Sequence, residues 1–340
     1  MTDPGRSSTG SREATAWPRF QILSLDGGGI RGLFGATLLA ALEQDLRIRV
    51  VDHFDLIAGT STGGIVAIGL GLGLTPQEVV ELYVQEGPRI FSNPLGLGSL
   101  QKWYRRKYSA LPLENALKSC FGERLLGESQ KRLVVPAYNL GQDDVYLFRT
   151  AHHEKLRRDY RVPAWKVARA TSAAPTFFSS ARGIDNLRLV DGGVWANNPV
   201  MVAVAEAVAT LGAKPDSIRV LSIGTSREVR ASRPRLDGGG IVAWGRGNAA
   251  VDLIIHAQSV AADNQAGLLL GRDRVVRVDP AVAEGEFSLD GSRRAPELIA
   301  MASHYSRALG ETFQRQLADH FAPAFEPLYR IGAGGLDADR

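Results

Sequence analysis

The sequence predicts a single α/β domain of three layers, in which helices cover both faces of a mostly parallel central sheet. Short apolar strands alternate with helical segments along the chain, which is typical of parallel sheets covered on both faces. Several strands end in glycine-rich turns that lead into a helix. With 340 residues, of which 44 % are hydrophobic and 22 % charged, the chain can form one large soluble domain.

The predicted elements follow from the apolar patterns and the turn residues. Residues 48–51 are a further candidate strand, 88–111 are predicted to be an irregular insertion, and 226–243 a loop. The predicted strands are 21–25, 54–58, 133–138, 145–150, 187–190, 218–223 and 274–279, and the predicted helices are 32–46, 63–73, 75–87, 165–172, 199–211, 248–270 and 296–321.

One domain is predicted over residues 20–330, with core motifs in 20–225 and a helical C-terminal region at 244–321. Residues 1–19 are polar and lack the apolar segment of a signal peptide, so they are predicted to be a disordered leader. Residues 331–340 are predicted to be a flexible tail. A membrane-spanning helix needs about 18 consecutive apolar residues, and every apolar run in the sequence is shorter than that.

A nucleophile motif follows the strand at 54–58. Gly59-Thr60-Ser61-Thr62-Gly63 fits the G-x-S-x-G elbow and lies between a strand and a helix, as this motif requires. The serine must project from a sharp turn, and the flanking glycines let the backbone pass without Cβ clashes. The amino end of the next helix favours negative charge beside the serine. Ser61 is therefore a candidate nucleophile; the alternative is that Ser61 or Thr62 only caps the helix.

The chain has six histidines, and none of them follows a strand at a glycine-flanked turn, where a catalytic triad would need one. Asp191 is the best substitute base, because it ends the strand at 187–190 and precedes Gly192-Gly193. The carboxyl ends of parallel strands meet at one edge of a sheet, so Ser61 and Asp191 are expected to emerge together. An ordinary Asp-Gly turn is the alternative.

A second glycine-rich turn, residues 26–32, follows the first strand. Consecutive backbone N–H groups at such a turn can bind an anion, so Gly27, Gly28 and Gly29 are candidate oxyanion-hole donors, with Arg31 fixing the loop or adding positive charge. The same glycines fit G-x-G-x-x-G, and Asp52 lies about twenty residues further on, as in dinucleotide-binding proteins. An NAD-type oxidoreductase is thus an alternative function, although it leaves Ser61 and Asp191 unexplained.

Taken together, the motifs at 26–32, 59–64, 168–175 and 191–193 resemble those of the patatin-like phospholipases, in the same order, over about residues 20–225. The resemblance implies a Ser61–Asp191 dyad that needs no histidine and an oxyanion hole from the Gly27–Gly29 amides. It also implies hydrolysis of fatty-acyl esters of membrane phospholipids. A non-catalytic binding module on this scaffold is a third hypothesis, and the intact Ser61 and Asp191 argue against it.

Within that family, the chain is similar to the bacterial single-domain effectors of anti-phage (CBASS) signalling, through residues 20–29 and 51–61. This similarity implies activation by a cyclic oligonucleotide, a cytoplasmic location and action at the inner membrane surface. A general lipid acyl hydrolase without nucleotide control is the alternative, because no short nucleotide-binding motif is present.

Residues 95–109 combine cations with aromatic side chains, although the net charge of the chain is only +4. Such a segment suits an anionic bilayer surface or a phosphodiester effector, and its aromatic residues could also simply pack on the domain. We predict that a cyclic dinucleotide bound here opens Ser61 to lipid. The candidate contacts are Lys102, Trp103, Arg105, Arg106 and Lys107.

No cofactor, metal ion or nucleic-acid polymer is expected. No cluster of histidine, cysteine and aspartate has ligand spacing, and a net charge of +4 without a recognised nucleic-acid-binding fold argues against a polymer. The expected partners are a phospholipid membrane surface, a cyclic dinucleotide and a second copy of the chain. The single cysteine, Cys120, excludes an intrachain disulfide and fits a reducing compartment.

Overall fold

The computed structural model describes residues 17–91, 108–229, 249–283, 286–287, 291, 294–331 and 337–338. The strands, in chain order, are β1 (Phe20–Leu25), β2 (Leu56–Gly59), β3 (Arg132–Asn139), β4 (Asp144–Arg149), β5 (Leu189–Asp191), β6 (Ile218–Ile223), β7 (Arg227–Val229), β8 (Val275–Val278), β9 (Ala281–Ala283), β10 (Arg330–Ile331) and β11 (Asp337–Ala338).

Seven strands form the central sheet in the order β4-β3-β2-β1-β6-β8, and β5 also pairs with β3. β3, β2, β1, β6 and β8 are parallel to one another, whereas β4 and β5 run antiparallel to β3. The predicted mostly parallel sheet is therefore confirmed. Within the described residues, β7–β9 and β10–β11 form two small separate ladders.

Helices cover both faces of this sheet, as predicted, and alternate side chains of each strand pack against the two helical layers. On one face, Ile22 and Val220 pack with the helices at 200–205 and 249–270, and on the other Leu23 and Leu221 pack with the remaining long helices. The helices are α1 (Gly32–Leu46), α2 (Thr62–Gly71), α3 (Pro76–Ile90), α4 (Leu111–Phe121), α5 (Ala164–Thr171), α6 (Gly193–Ala196), α7 (Val200–Ala205), α8 (Ala249–Leu270) and α9 (Ala295–Gln316).

Three local predictions were wrong. Residues 48–51 are not a strand, because Val50–His53 form a 3₁₀ turn that leads into β2. The insertion at 88–111 is shorter than predicted, since α3 continues to Ile90 and α4 begins at Leu111; its residues 92–107 lie outside the described ranges. The loop predicted at 226–243 contains β7, which pairs with β9.

The predicted leader and tail are only partly described. Trp17, inside the predicted leader, packs edge-on against Phe20 and donates its indole N–H to the Leu211 carbonyl. Trp17 is therefore packed against the part of the chain that was predicted to form the domain. In the tail, Ile331 pairs with Asp337. No helix among the described residues is long and apolar enough to cross a membrane.

Candidate active site

Ser61 occupies a sharp turn between β2 and α2, with φ 56° and ψ −123°. This left-handed conformation is costly for a residue with a Cβ, and such strain is typical of nucleophile elbows. The turn requires the two predicted glycines. A Cβ on Gly59 would collide with the Gly63 backbone, and a Cβ on Gly63 would lie 2.6 Å from the Asp26 carbonyl oxygen. The predicted elbow of Gly59, Ser61 and Gly63 is therefore present.

Asp191 is the hydrogen-bond partner of Ser61, whose hydroxyl donates to Asp191 Oδ2 at 2.6 Å. The second carboxylate oxygen of Asp191 accepts the Gly193 N–H at 2.7 Å. Both side chains are buried. Burial raises the pKa of Asp191 to about 6, although the hydrogen bonds from Ser61 and from the Gly193 N–H act in the opposite direction.

The geometric reason for this meeting differs from the one predicted, since Asp191 does not lie on a parallel strand. β4 occupies one edge of β3 over residues 134–139, and β2 pairs with the other edge only over 132–134. β5 takes up that second edge at 137–139, antiparallel to β3, with Asp191 opposite Ala137. β5 therefore continues the sheet just beyond the point where β2 turns into the elbow, which places Asp191 beside Ser61.

Thr171, the last residue of α5, is hydrogen-bonded to the backbone of the elbow. The Ser61 backbone N–H donates to Thr171 Oγ1 at 2.9 Å, and the Thr171 hydroxyl donates to the Pro136 carbonyl at 2.6 Å. This chain of hydrogen bonds ties the strained residue to β3. The motif at 168–175 thus holds Ser61 in position through the Thr171 side chain, which the sequence analysis had not singled out.

The glycine-rich turn lies against the elbow, since a Cβ on Gly27 would be 3.1 Å from the Ser61 Cβ. The Gly27 N–H donates to the Asn197 carbonyl at 3.0 Å, and the Gly28 N–H donates to Thr62 Oγ1 at 3.2 Å. The Gly29 N–H has no acceptor among the described residues, and Gly29 has φ 60°. Of the three candidate donors, Gly29 is therefore the one with a free N–H here.

Two arginines fix the glycine-rich turn. The Arg31 guanidinium donates to the Gly28 and Ser226 carbonyls, as predicted for a loop-fixing role. Arg277 on β8 binds both carboxylate oxygens of Asp26, at 2.9 and 2.6 Å, and also binds Asp279. Burial alone would lower the pKa of Arg277, but the two carboxylates raise it above its ordinary value. Arg277 therefore remains charged and holds the start of the turn.

The turn that follows Asp191 is held by α8. Gln258 accepts the Asn197 backbone N–H at 2.9 Å, and the Asn197 side-chain amide donates to Ser259 Oγ at 3.1 Å. Sequence reasoning missed Arg277, Gln258 and Ser259, because they lie outside the recognised motifs and reach the site only through tertiary packing.

No histidine partners Ser61 or Asp191 in the described part of the chain, which includes all six histidines. His152 pairs with Glu206 and His320 with Asp55, while His53 bonds the His320 carbonyl. The exposed His256 and His304 lie on α8 and α9. Also within the described ranges, no cluster of three or more histidine, cysteine or acidic side chains could hold a metal ion.

The structure does not support the predicted dinucleotide site. Asp52 lies before the amino end of β2, whereas the glycine-rich turn follows the carboxyl end of the parallel strand β1, so the dinucleotide alternative is not favoured. The basic aromatic contacts Lys102, Trp103, Arg105, Arg106 and Lys107 lie outside the described residues.

A family model described as patatin-like phospholipase matches residues 23–204, which span the elbow, the glycine turn and Asp191. The chain belongs to the patatin-like phospholipase family. It is accordingly a lipid acyl hydrolase, and the resemblance stated from the motifs is confirmed. The alternative of a non-catalytic module is not favoured.

Proteins similar to this patatin-like phospholipase occur in bacteria and plants. A cGAMP-activated phospholipase of Pseudomonas aeruginosa (strain BWHPSA011 / Pa011) is 36 % identical over 321 residues, covering 92 % of this chain and 93 % of that protein. A cGAMP-activated phospholipase of Vibrio cholerae is 32 % identical and covers 88 % of this chain and 94 % of that protein. Patatin-like protein 1 of Arabidopsis thaliana is 30 % identical, with coverages of 78 % and 76 %.

The raised pKa of Asp191 predicts the acid limb of the pH–rate profile. A general base must be ionised, so kcat/KM is expected to be constant above about pH 7 and to fall about tenfold per pH unit below the pKa of about 6. Hydrolysis of a soluble ester between pH 4 and 8 would measure this, without the pH-dependent charge of a lipid vesicle. An acid limb near pH 4 would instead indicate that Asp191 titrates as a solvent-exposed carboxyl.

Proposed function

We propose that this phospholipase hydrolyses fatty-acyl esters of membrane phospholipids through a Ser61–Asp191 dyad, and that a cyclic dinucleotide switches it on. The observation that carries the dyad is the 2.6 Å hydrogen bond from Ser61 Oγ to Asp191 Oδ2. A serine hydroxyl is a weak nucleophile until a neighbouring base accepts its proton. Asp191 is the group placed to do so.

The reaction proceeds in two steps. Ser61 Oγ attacks the ester carbonyl while Asp191 accepts the hydroxyl proton, and the tetrahedral intermediate collapses as Asp191 returns that proton to the departing lysophospholipid alcohol. A water molecule then attacks the acyl-enzyme and gives a proton to Asp191. The acid is released when Ser61 Oγ recovers this proton.

The oxyanion is stabilised by backbone N–H groups of the glycine-rich turn. The free N–H of Gly29 supports its assignment as one donor. Gly28 is the second, because its 3.2 Å hydrogen bond to the Thr62 hydroxyl can be exchanged for a stronger one to the charged oxygen. Gly27, which is bonded to Asn197, positions the turn. Arg31 holds the loop in place.

Two further parts of the proposal concern control and lipid contact. The relatives named cGAMP-activated phospholipase support a cyclic dinucleotide activator, consistent with an effector in anti-phage signalling. Residues 95–109, with Trp103 and the neighbouring cations, are proposed to contact the anionic membrane surface peripherally.

Fatty-acid release from phosphatidylethanolamine and phosphatidylglycerol vesicles tests the function. We expect the full-length protein to release fatty acid with a cyclic GMP–AMP dinucleotide present, and to release much less without it. Ser61→Ala protein serves as the matched control for contaminating lipases. Release that is equally fast with and without every cyclic dinucleotide would reject the control but keep the hydrolase; no release from any lipid or soluble ester would reject the dyad.

A further inference from the structure

A cavity of about 1000 Å³ lies at the pole of the domain opposite Ser61. It is bounded by the segments that lead into β2 and β3 and by the carboxyl end of α2, represented by Val51, Lys131 and Leu70. Ser61 stands at the amino end of the same helix, about 15 Å away by the rise of ten residues. The cavity is thus separate from the active site but shares α2 with it.

One wall of the cavity is a C-terminal strap, residues 321–330, that follows α9 and has no regular structure before β10 begins at Arg330. Its end is anchored by Tyr329, whose ring stacks on Tyr160 and whose hydroxyl donates to the Glu154 carbonyl. The Ala322 N–H donates to the Asp52 carbonyl and the Leu328 N–H to the Ala151 carbonyl, each at 2.8 Å, while Phe325 packs beneath the Arg132 guanidinium. Phe321 lines the cavity, packs against His53 and presents 70 % of its surface to solvent. The cavity therefore offers one accessible aromatic surface.

The polar lining of the cavity carries both signs of charge. The cations Arg49, Lys131 and Arg330 stand with the acids Asp52, Glu123 and Glu128. Lys131 is half-buried, and its ammonium has no hydrogen-bond or ion-pair partner among the residues that the structure describes. Burial lowers the pKa of this ammonium, although the nearby Asp52 and Asp55 carboxylates act in the opposite direction. The Arg49–Asp52 ion pair is long, at 4.0 Å.

This combination of groups limits the ligand class. Aromatic faces stack on purine bases, ammonium and guanidinium groups bind phosphodiesters, and carboxylates accept the ring and exocyclic N–H groups of guanine. A fatty acid would leave the carboxylates without donors, and a simple anion would leave the Phe321 ring unused. The volume of about 1000 Å³ lies at the upper end of the range of about 300–1,000 Å³ that is typical of small-molecule sites.

We propose that this cavity binds a guanine-containing cyclic dinucleotide, with its phosphodiesters on Lys131 and Arg49 and one base against Phe321. The inference rests on the proposed function in naming the activator, and it places the activator's site away from the basic segment at 102–107.

The cavity wall is connected directly to α2. The Gln130 N–H donates to the Gly71 carbonyl at 2.7 Å, and Arg124 donates to the Leu72 carbonyl at 3.1 Å. A ligand that draws Lys131 and the strap together therefore acts on the loop that anchors the far end of the helix beginning at Ser61. It shifts the balance toward an active state only by its difference in affinity for the two states.

Calorimetric titration of cyclic GMP–AMP into the full-length protein tests the site. Lys131→Ala is expected to weaken binding about 10- to 100-fold, the usual effect of losing a charged hydrogen bond. Ala324→Trp, at an exposed position on the strap, is expected to abolish binding by filling the cavity without removing a polar partner. Activation of vesicle hydrolysis should require about 10- to 100-fold more dinucleotide in Lys131→Ala and should be lost in Ala324→Trp.

The matched control is Lys214→Ala, which removes an exposed lysine that does not line the cavity and should bind and respond as the wild type does. Circular dichroism and the thermal midpoint would show that Lys131→Ala and Ala324→Trp are folded. Unchanged binding in both cavity variants would overturn the proposal. So would a loss of binding confined to a variant with Lys102, Arg105, Arg106 and Lys107 all replaced by alanine.

The outcomes separate the site from the function. Binding that depends on Lys131 and Ala324 without any rise in vesicle hydrolysis would support the site and reject nucleotide control. Activation of the wild type that persists in both cavity variants would support nucleotide control and reject the site. A wild-type protein that binds no cyclic dinucleotide would reject the site, while ester hydrolysis by Ser61 would stand on its own assay.

Discussion

Replacing Ser61 by alanine is expected to lower the rate of phospholipid hydrolysis by at least about 10⁴-fold, because removing a nucleophile abolishes the covalent route. The change deletes only the oxygen that donates to Asp191. Fatty-acid release from vesicles, measured with activator present, gives the rate. A fluorophosphonate probe should label the wild type and leave the variant unlabelled.

The folded state of Ser61→Ala should be unaffected. Alanine keeps the Cβ and therefore the same backbone cost at φ 56°, and the Ser61 N–H can still donate to Thr171. The thermal midpoint should be equal to or slightly above that of the wild type, since active sites often trade stability for function. Hydrolysis at the wild-type rate by this folded variant would refute Ser61 as the nucleophile.

Asp191→Asn is expected to be nearly as damaging, with a loss of at least about 10³-fold, because an amide cannot accept the Ser61 proton at neutral pH. Asparagine has the same shape, so the contact with the Gly193 N–H can remain. The same vesicle and soluble-ester assays would measure the effect. The double variant with Ser61→Ala should be no slower than Ser61→Ala alone, because the dyad acts as a unit.

Histidine substitutions provide the control for the dyad. His256→Ala changes an exposed residue on α8, and it should leave soluble-ester hydrolysis within about threefold of the wild type. His152→Ala removes a buried partner of Glu206 and is expected to lower stability rather than turnover per folded molecule. If either change eliminated turnover in folded protein, a histidine-dependent triad would have to replace the dyad.

The segments around Ser61 and Asp191 are held by contacts from well beyond the recognised motifs. Arg277 on β8 fixes Asp26 at the start of the glycine-rich turn, and α8 fixes Asn197 through Gln258 and Ser259. These contacts come from the chain beyond residue 225. That part of the chain therefore positions the glycine-rich turn and the segment after Asp191, although its sequence pattern alone indicates only helices and a strand.

The fold class and the two candidate catalytic residues can be predicted from the amino-acid sequence alone. The glycines at 59 and 63 are required by a turn that passes very close to neighbouring backbone, so their spacing in the sequence identifies the elbow. Alternation of apolar strands and helices predicted the parallel sheet for a similarly local reason, because a strand buried on both faces must be continuously apolar.

The way in which Asp191 reaches Ser61 follows from the pairing of distant strands. β2 pairs with β3 only over residues 132–134, and β5 pairs with the same edge at 137–139, antiparallel to β3. No periodicity in residues 187–191 encodes this fact. The same holds for Arg277, which lies 251 residues from Asp26 in the chain, and for the cavity beside Lys131, whose walls come from segments far apart in sequence. Local patterns specify elements and turns, whereas pairing and burial between distant elements specify the site that they form.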